Sequence, residues 1–446
     1  PLHLLSTQFD PATDIGSLYS VATMDGAHAY WKEGYTGNGV DVALVDSGVA
    51  PVDGLSSDGK VVNGPDLSSE SSVAALQSVD TFGHGTHVAG IIAGRDTAVT
   101  TVSAADTTHF LGIAPDARIV NLKVADALGR TDMSKVLTAI DWVVRHRDAD
   151  GLNIRVLNLS FGTDPTQDYA LDPLAYAAEQ AWQHGIAVVV SAGNGGAQTT
   201  SLTDPAIDPY VIAVGAADTN GTANVGNDTA ASFTSRGSDQ RTPDLAAPGV
   251  HIASLRVPDS FIDHQYGSTG LVGTRFFRGT GTSQSAAIVS GAAALVISQR
   301  PTISPDELKA LLTGSARSIH GATNLVGAGE LDLARALKQP TPSASQSWPS
   351  STGSGSAGAS CQSSDQNGTS GNNETSDGSE GDAETPGSQR RDDGETDNES
   401  KHTPWRTASW SSGSWSVSSW SSGSWSSGSW SSGSWSSASW SSASWS

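Results

Sequence analysis

The chain has 446 residues, a formal net charge of −22 and one cysteine, Cys361. So acidic a balance excludes nucleic acid and anionic membrane as electrostatic partners, and a lone cysteine excludes a disulfide framework. No run reaches the roughly 18 apolar residues that a membrane-spanning helix needs.

Residues 1–34 read as an N-terminal extension or a segment left after a prodomain, and Pro1-Leu2-His3-Leu4-Leu5 lacks an initiator methionine and a basic segment, so a processed chain is expected. Residues 35–340 read as the folded body, long enough to bury about 70–75% of its extended surface. Residues 40–46 form a short apolar run stopped by Ser47-Gly48, which predicts a buried strand with Asp46 at its carboxyl end. A helix over 84–93 and a strand over 118–124 follow. A helix over 134–147 carries the apolar stripe Val136, Leu137, Ile140, Val143 and Val144.

Next comes a strand over 154–160, then a helix over 173–184 with Pro173 in its first turn and Gly185 past its end. A strand over 186–191 runs into Ala192-Gly193-Asn194, and another covers 211–216. The segment after Ser283 is so rich in alanine that neighbours can approach it on every side, as expected of a central buried helix. Pro305, Asp306 and Glu307 open a helix to about 316, and 331–337 closes the body. Strands alternating with helices, apolar on both faces, predict an α/β fold with a mostly parallel sheet and a site beyond the carboxyl ends of its strands.

Beyond residue 340 the composition turns to Ser, Gly, Thr and acid, with 4 basic against 11 acidic residues. Ordering such a segment costs backbone entropy with no hydrophobic return, so 341–401 is expected to be a disordered linker. In 402–446 a tryptophan recurs every five residues from Trp405 to Trp445, a spacing that fits neither a helix face nor a strand face. It reads as a flexible array, with contact to glycans or a cell surface as one use and a plain extension as another.

Three groups can do chemistry together. Asp46 ends a strand, His84 stands between Gly83 and Gly85 at a helix start, and Ser283 follows the small residues Gly279-Thr280-Gly281-Thr282. A serine hydroxyl attacks only if a base takes its proton, which His84 can do while Asp46 fixes the imidazole tautomer. Each has a plainer reading, as a turn aspartate, a packed histidine or a helix N-cap. Asn194, leaving a rigid strand through glycine, suits an oxyanion donor, with the Ser283 N–H as the second. His84 and His87 could form a metal pair, but no H-E-x-x-H pattern is present, and His87 is expected to be packed or hydrogen bonded.

Asp46-Ser47-Gly48, His84-Gly85-Thr86-His87-Val88-Ala89-Gly90 and Gly281-Thr282-Ser283, in the order Asp, His, Ser, resemble the subtilisin-like serine proteases, the subtilases. Ser191-Ala192-Gly193-Asn194 resembles their oxyanion segment, and the likeness covers about 35–338. The resemblance implies a three-layer subtilisin-like fold and a serine endopeptidase acting through an acyl-enzyme. It also implies that residues 157–162 are an edge strand pairing with extended polypeptide, with Leu159, Ser160, Phe161, Gly162, Ala192 and Gly193 at the substrate.

The chemistry then needs no cofactor, while structural calcium is a family property for which no loop is readable here. A secreted or surface-associated monomer follows from the same likeness. Gln284-Ser285 and Ala287 depart from the family's Met-Ala and nearby proline, a change expected to alter helix packing. A peptide ligase using the same acyl intermediate and a noncatalytic binding protein on the same fold are the alternative readings.

Overall fold

The computed structural model describes residues 9–356. The expectations for residues 1–8, the rest of the linker and the tryptophan array fall outside the described residues.

The helices and strands are, in chain order, α1 (Leu18–Met24), α2 (Ala27–Lys32), β1 (Asp41–Asp46), β2 (Val61–Asp66), α3 (His84–Ala93), β3 (Arg118–Lys123) and α4 (Met133–Arg145). They continue with β4 (Ile154–Leu159), α5 (Pro173–Gln183), β5 (Ala187–Ser191), β6 (Ile212–Asp218), β7 (Thr229–Ala230), β8 (Leu245–Pro248) and β9 (Ile252–Leu255). Last come α6 (Phe261–Gly270), β10 (Leu271–Val272), β11 (Phe276–Gly279), α7 (Thr282–Gln299), α8 (Pro305–Ser315), α9 (Thr323–Val326) and α10 (Leu333–Ala336).

Among the described residues the main sheet runs β2-β3-β1-β4-β5-β6-β7, with β8 also on β6. All its pairings are parallel except β6 with β7. Every residue of β1 and β5 is buried, because helices cover both faces. Antiparallel β9, β10 and β11 form a second small sheet.

Local chemistry sets the helix starts. The Asp132 side chain accepts from Lys135 N–H, that of Asp172 accepts from Leu174 and Ala175 N–H ahead of Pro173, and Ser304 with Glu307 makes a capping box. Helix α7 is buried from Thr282 to Ile297, as its small residues predict. At Gly291 a Cβ would lie 2.6 Å from the Ile113 Cβ, so the close approach there requires glycine.

Three expectations need correction. Residues 18–32 are helical and belong to the body: Leu18, Val21, Tyr30 and Trp31 join the main core, and Trp31 Nε1–H donates to the Ile113 carbonyl at 3.0 Å. Helices of 7 and 6 residues are too short to show a period.

Residues 341–356 are not a disordered linker but lie along α5, tied by backbone groups rather than apolar burial. Finally, β4 is interior, between β1 and β5, so Leu157 and Asn158 are paired on both sides and cannot receive a substrate strand.

One buried charge cluster has a measurable consequence. Arg317 lies 3.0 Å from Glu330, 3.6 Å from Asp25 and 3.8 Å from Asp228, all three carboxylates being fully buried. One guanidinium cannot balance three carboxylates out of water. Burial, only partly offset by Arg317, pushes Asp25 up to about 7, and burial with the neighbouring Asp25 pushes Glu330 up to about 9.

The folded chain thus keeps a proton on Glu330 that the unfolded chain releases near its ordinary 4.5. That stability is fully present below the unfolded value and is lost as pH rises through about 9. Its slope is at most about 1.4 kcal/mol per pH unit. Glu330→Gln should therefore flatten the decline of the urea midpoint between pH 5 and 9, and parallel curves for both proteins would refute this.

Candidate active site

Strand β1 delivers Asp46 to the carboxyl edge of the sheet, where its Oδ1 accepts the Ser47 N–H at 2.7 Å. The ring of His84, first residue of α3, turns Nδ1 toward both Asp46 oxygens at 2.8 and 2.9 Å. Both side chains are buried. A carboxylate can only accept, so Nδ1 carries the hydrogen and Nε2 is the basic nitrogen of the neutral ring.

The start of α3 has no cap of its own, since its N-cap is Gly83 at φ 107°. Asp80 supplies one from outside, accepting Gly83 N–H at 2.6 Å and Thr86 N–H at 2.8 Å. Its Oδ1 also accepts the Ser47 hydroxyl at 2.9 Å, and that hydroxyl accepts Gly85 N–H at 2.9 Å. Burial raises the Asp80 carboxyl, and the Gly83 and Thr86 donors counter it. The sequence reading missed Asp80 as a positioning group, although an aspartate three residues before a glycine N-cap was the available signal.

Ser283 is the second residue of α7, and Gly281 holds the N-cap, so the plain capping role does not apply. Its hydroxyl donates to the Ser160 carbonyl at 2.8 Å. Ser160 extends β4, the neighbour of β1, and the hydroxyl is thus anchored one strand over from the carboxylate–imidazole pair. Helices α3 and α7 also pack on each other.

Asn194 follows β5 through Gly193, whose φ is 108°. Its Oδ1 accepts both Thr282 N–H at 2.9 Å and the Thr282 hydroxyl at 3.0 Å. These two bonds commit the Asn194 oxygen to the start of α7.

Because β4 and β5 are adjacent, Ser160–Phe161–Gly162 and Ala192–Gly193 emerge side by side. Thr203 stitches them: its N–H donates to Ala192 O at 3.1 Å, and a Cβ on Gly162 would press into its side chain. Leu159 is paired with Val190 and its side chain is fully buried, so it supports this wall from behind. The Phe161 side chain is buried as well.

His87 is fully buried, and burial holds its ring well below the ordinary imidazole range, hence neutral. Gln284 is buried beside it, with neither amide atom hydrogen bonded. A Cβ at Gly279 would collide with both side chains. Among the described residues no group of three or more His, Cys, Asp or Glu side chains is arranged to hold a metal ion. No helix among them is long and apolar enough to cross a membrane.

A mostly parallel sheet covered by helices on both faces, with a buried carboxylate–imidazole pair at the end of a central strand, fits the subtilisin-like class of α/β proteins. The chain belongs to the subtilase family, peptidase family S8, whose profile matches residues 37–329. It is 36% identical over 304 residues to the serine protease AprX of Bacillus subtilis (strain 168), covering 67% of this chain and 66% of that protein. It is 32% identical to subtilisin DY of Bacillus licheniformis, covering 69% of this chain and 93% of that one. Subtilisin BL of Lederbergia lenta is 31% identical, with coverages of 70% and 96%. The chain thus spans just under two thirds of AprX and nearly all of the two subtilisins.

Proposed function

We propose that the protein is a serine endopeptidase that hydrolyses peptide bonds in polypeptides through Asp46, His84, Ser283 and a covalent acyl-enzyme. The observation that carries this reading is the buried His84 ring held by both Asp46 oxygens. In this mechanism Ser283 Oγ bonds to the substrate carbonyl carbon as its proton passes to His84 Nε2. The C–N bond then breaks as His84 returns that proton to the leaving amine. Water, activated by the same nitrogen, releases the acyl group and regenerates the hydroxyl.

Charge developing on the carbonyl oxygen is met by the Asn194 amide and the Ser283 N–H at the start of α7. The orientation of Asn194, set by Thr282, supports that role. Polypeptide would lie extended against Ser160–Phe161–Gly162 on one side and Ala192–Gly193 on the other. Because the donors act on charge present only in the transition state, Asn194→Leu should lower kcat about 10²–10³-fold with KM nearly unchanged. Steady-state kinetics on a peptide amide checks this, and a change confined to KM would assign Asn194 to ground-state binding instead.

The same reading has the enzyme acting as a monomer outside the cell. Residues 402–446 would then supply contact with glycans or a cell surface.

A further inference from the structure

Residues 341–356 contain no helix or strand, yet they form an extended strap fixed at many points. Gln346 is held by Asp306 and by the Tyr210 carbonyl, each at 3.0 Å, and the Tyr210 hydroxyl donates to Trp348 O at 2.6 Å. Ser351, buried, donates its N–H to Glu179 at 2.8 Å and its hydroxyl to the Asp172 carbonyl at 2.9 Å. Thr352 N–H reaches Ala170 O at 2.8 Å and Gly355 N–H reaches Leu171 O at 2.7 Å. Gln167 bonds Ser356 through both ends of its amide.

Most of these partners lie in one loop, 164–172, which continues directly from Ser160–Phe161–Gly162. At its near end Thr163 exchanges two backbone hydrogen bonds with Asp204, at 3.0 and 2.8 Å. Its far end is closed by the strap. Beneath lie Asp172, Glu179, Asp204 and Asp208, all buried.

Burial and the nearby Glu179 push Asp208 up to about 8, although Arg241 and Lys309 pull it down. Burial and Asp172 hold Asp204 well above the carboxylate range. Burial also raises the Glu179 carboxyl, so water admitted by an undocked strap would let Glu179, Asp204 and Asp208 ionise near one another, and their repulsion would loosen the loop.

The geometry points to residues 344–356 as a specificity-determining clasp that holds loop 164–172, and through it the Ser160–Gly162 wall, in a form ready for extended polypeptide. The inference rests on reading that wall as part of a peptidase cleft. With the clasp open, polypeptide must order the loop as it binds, a cost that appears in KM and not in the bond-breaking step.

Gly353 offers a sharp test, because its φ is +60° and a Cβ there would lie 3.0 Å from the Tyr176 ring. In the full chain, Gly353→Val should raise KM for a peptide spanning several residues before the scissile bond about tenfold, with kcat within about twofold. Thr352→Pro, which removes the N–H and the hydroxyl that both donate to the Ala170 carbonyl, at 2.8 and 3.0 Å, should act in the same direction. Neither should alter the rate at which a small phosphonate labels Ser283, while both should speed proteolytic nicking within 164–172.

Unchanged KM in folded variants would overturn the clasp. Global unfolding of both variants would overturn it too, by showing that the strap supports the whole body and not one wall. Failure of the wild type to take the label would instead count against the peptidase reading itself.

Discussion

Ser283→Ala is expected to lower kcat for peptide hydrolysis by about 10⁶-fold, the magnitude already known for triad nucleophiles in the subtilisin fold. The size follows from what alanine removes. The two nearest hydroxyls in the chain are directed elsewhere, that of Ser160 donating to Asn158 Oδ1 at 2.8 Å and that of Thr282 to Asn194 Oδ1 at 3.0 Å.

The substitution should leave the fold intact, since Gly281 and not Ser283 caps α7. His84→Ala should cost nearly as much, and the double variant little more than either, because the two groups act as one unit. Single-turnover and steady-state rates on a peptide amide check this, with thermal melts to confirm folding. Retention of more than about a hundredth of wild-type kcat would move the nucleophile elsewhere.

Asp46→Asn should cost about 10⁴-fold in kcat, for a reason visible in the hydrogen bonds. Asp46 Oδ1 accepts the Ser47 N–H at 2.7 Å, and an asparagine oxygen would keep that bond. Its NH₂ would then occupy the place of Oδ2, which now lies 2.9 Å from His84 Nδ1. That donor competes at Nδ1 with the retained oxygen, 2.8 Å away, and favours the ring proton on Nε2, the tautomer that cannot take a proton from a hydroxyl. KM should stay close to wild type, because the carboxylate is buried away from the strand ends that face polypeptide. A loss smaller than about tenfold would mean that Asp46 neither sets the tautomer nor stabilises the imidazolium.

Much of this arrangement is legible in the sequence because the informative segments are locally determined. Asp41–Asp46 is apolar on both faces and stopped by Ser47-Gly48, so it can only be a buried strand, and the two glycines around His84 mark a helix entry. The alanine-rich segment after Ser283 can only sit where neighbours come close, and α7 does so.

Strand order, by contrast, is a property of the whole sheet. Nothing within 157–162 tells an edge from an interior position, and only the pairing of β4 with β1 and β5 does so. Asp80 escaped notice because its cap spans a turn and draws on Ser47, far back in the chain. The strap was misread for a different physical reason. Composition reports apolar burial, whereas Ser351, Thr352 and Gly355 are held through backbone donors that any composition supplies.

On the proposed mechanism, one buried imidazole, oriented by Asp46, turns Ser283 into a nucleophile. Incubating the full-length protein with a serine-directed phosphonate and mapping the adduct by peptide mass spectrometry tests it most directly. The expected result is a single stoichiometric adduct on Ser283, formed by the wild type and lost in His84→Ala. An adduct on another serine, or equal labelling of Ser283 without His84, would contradict it.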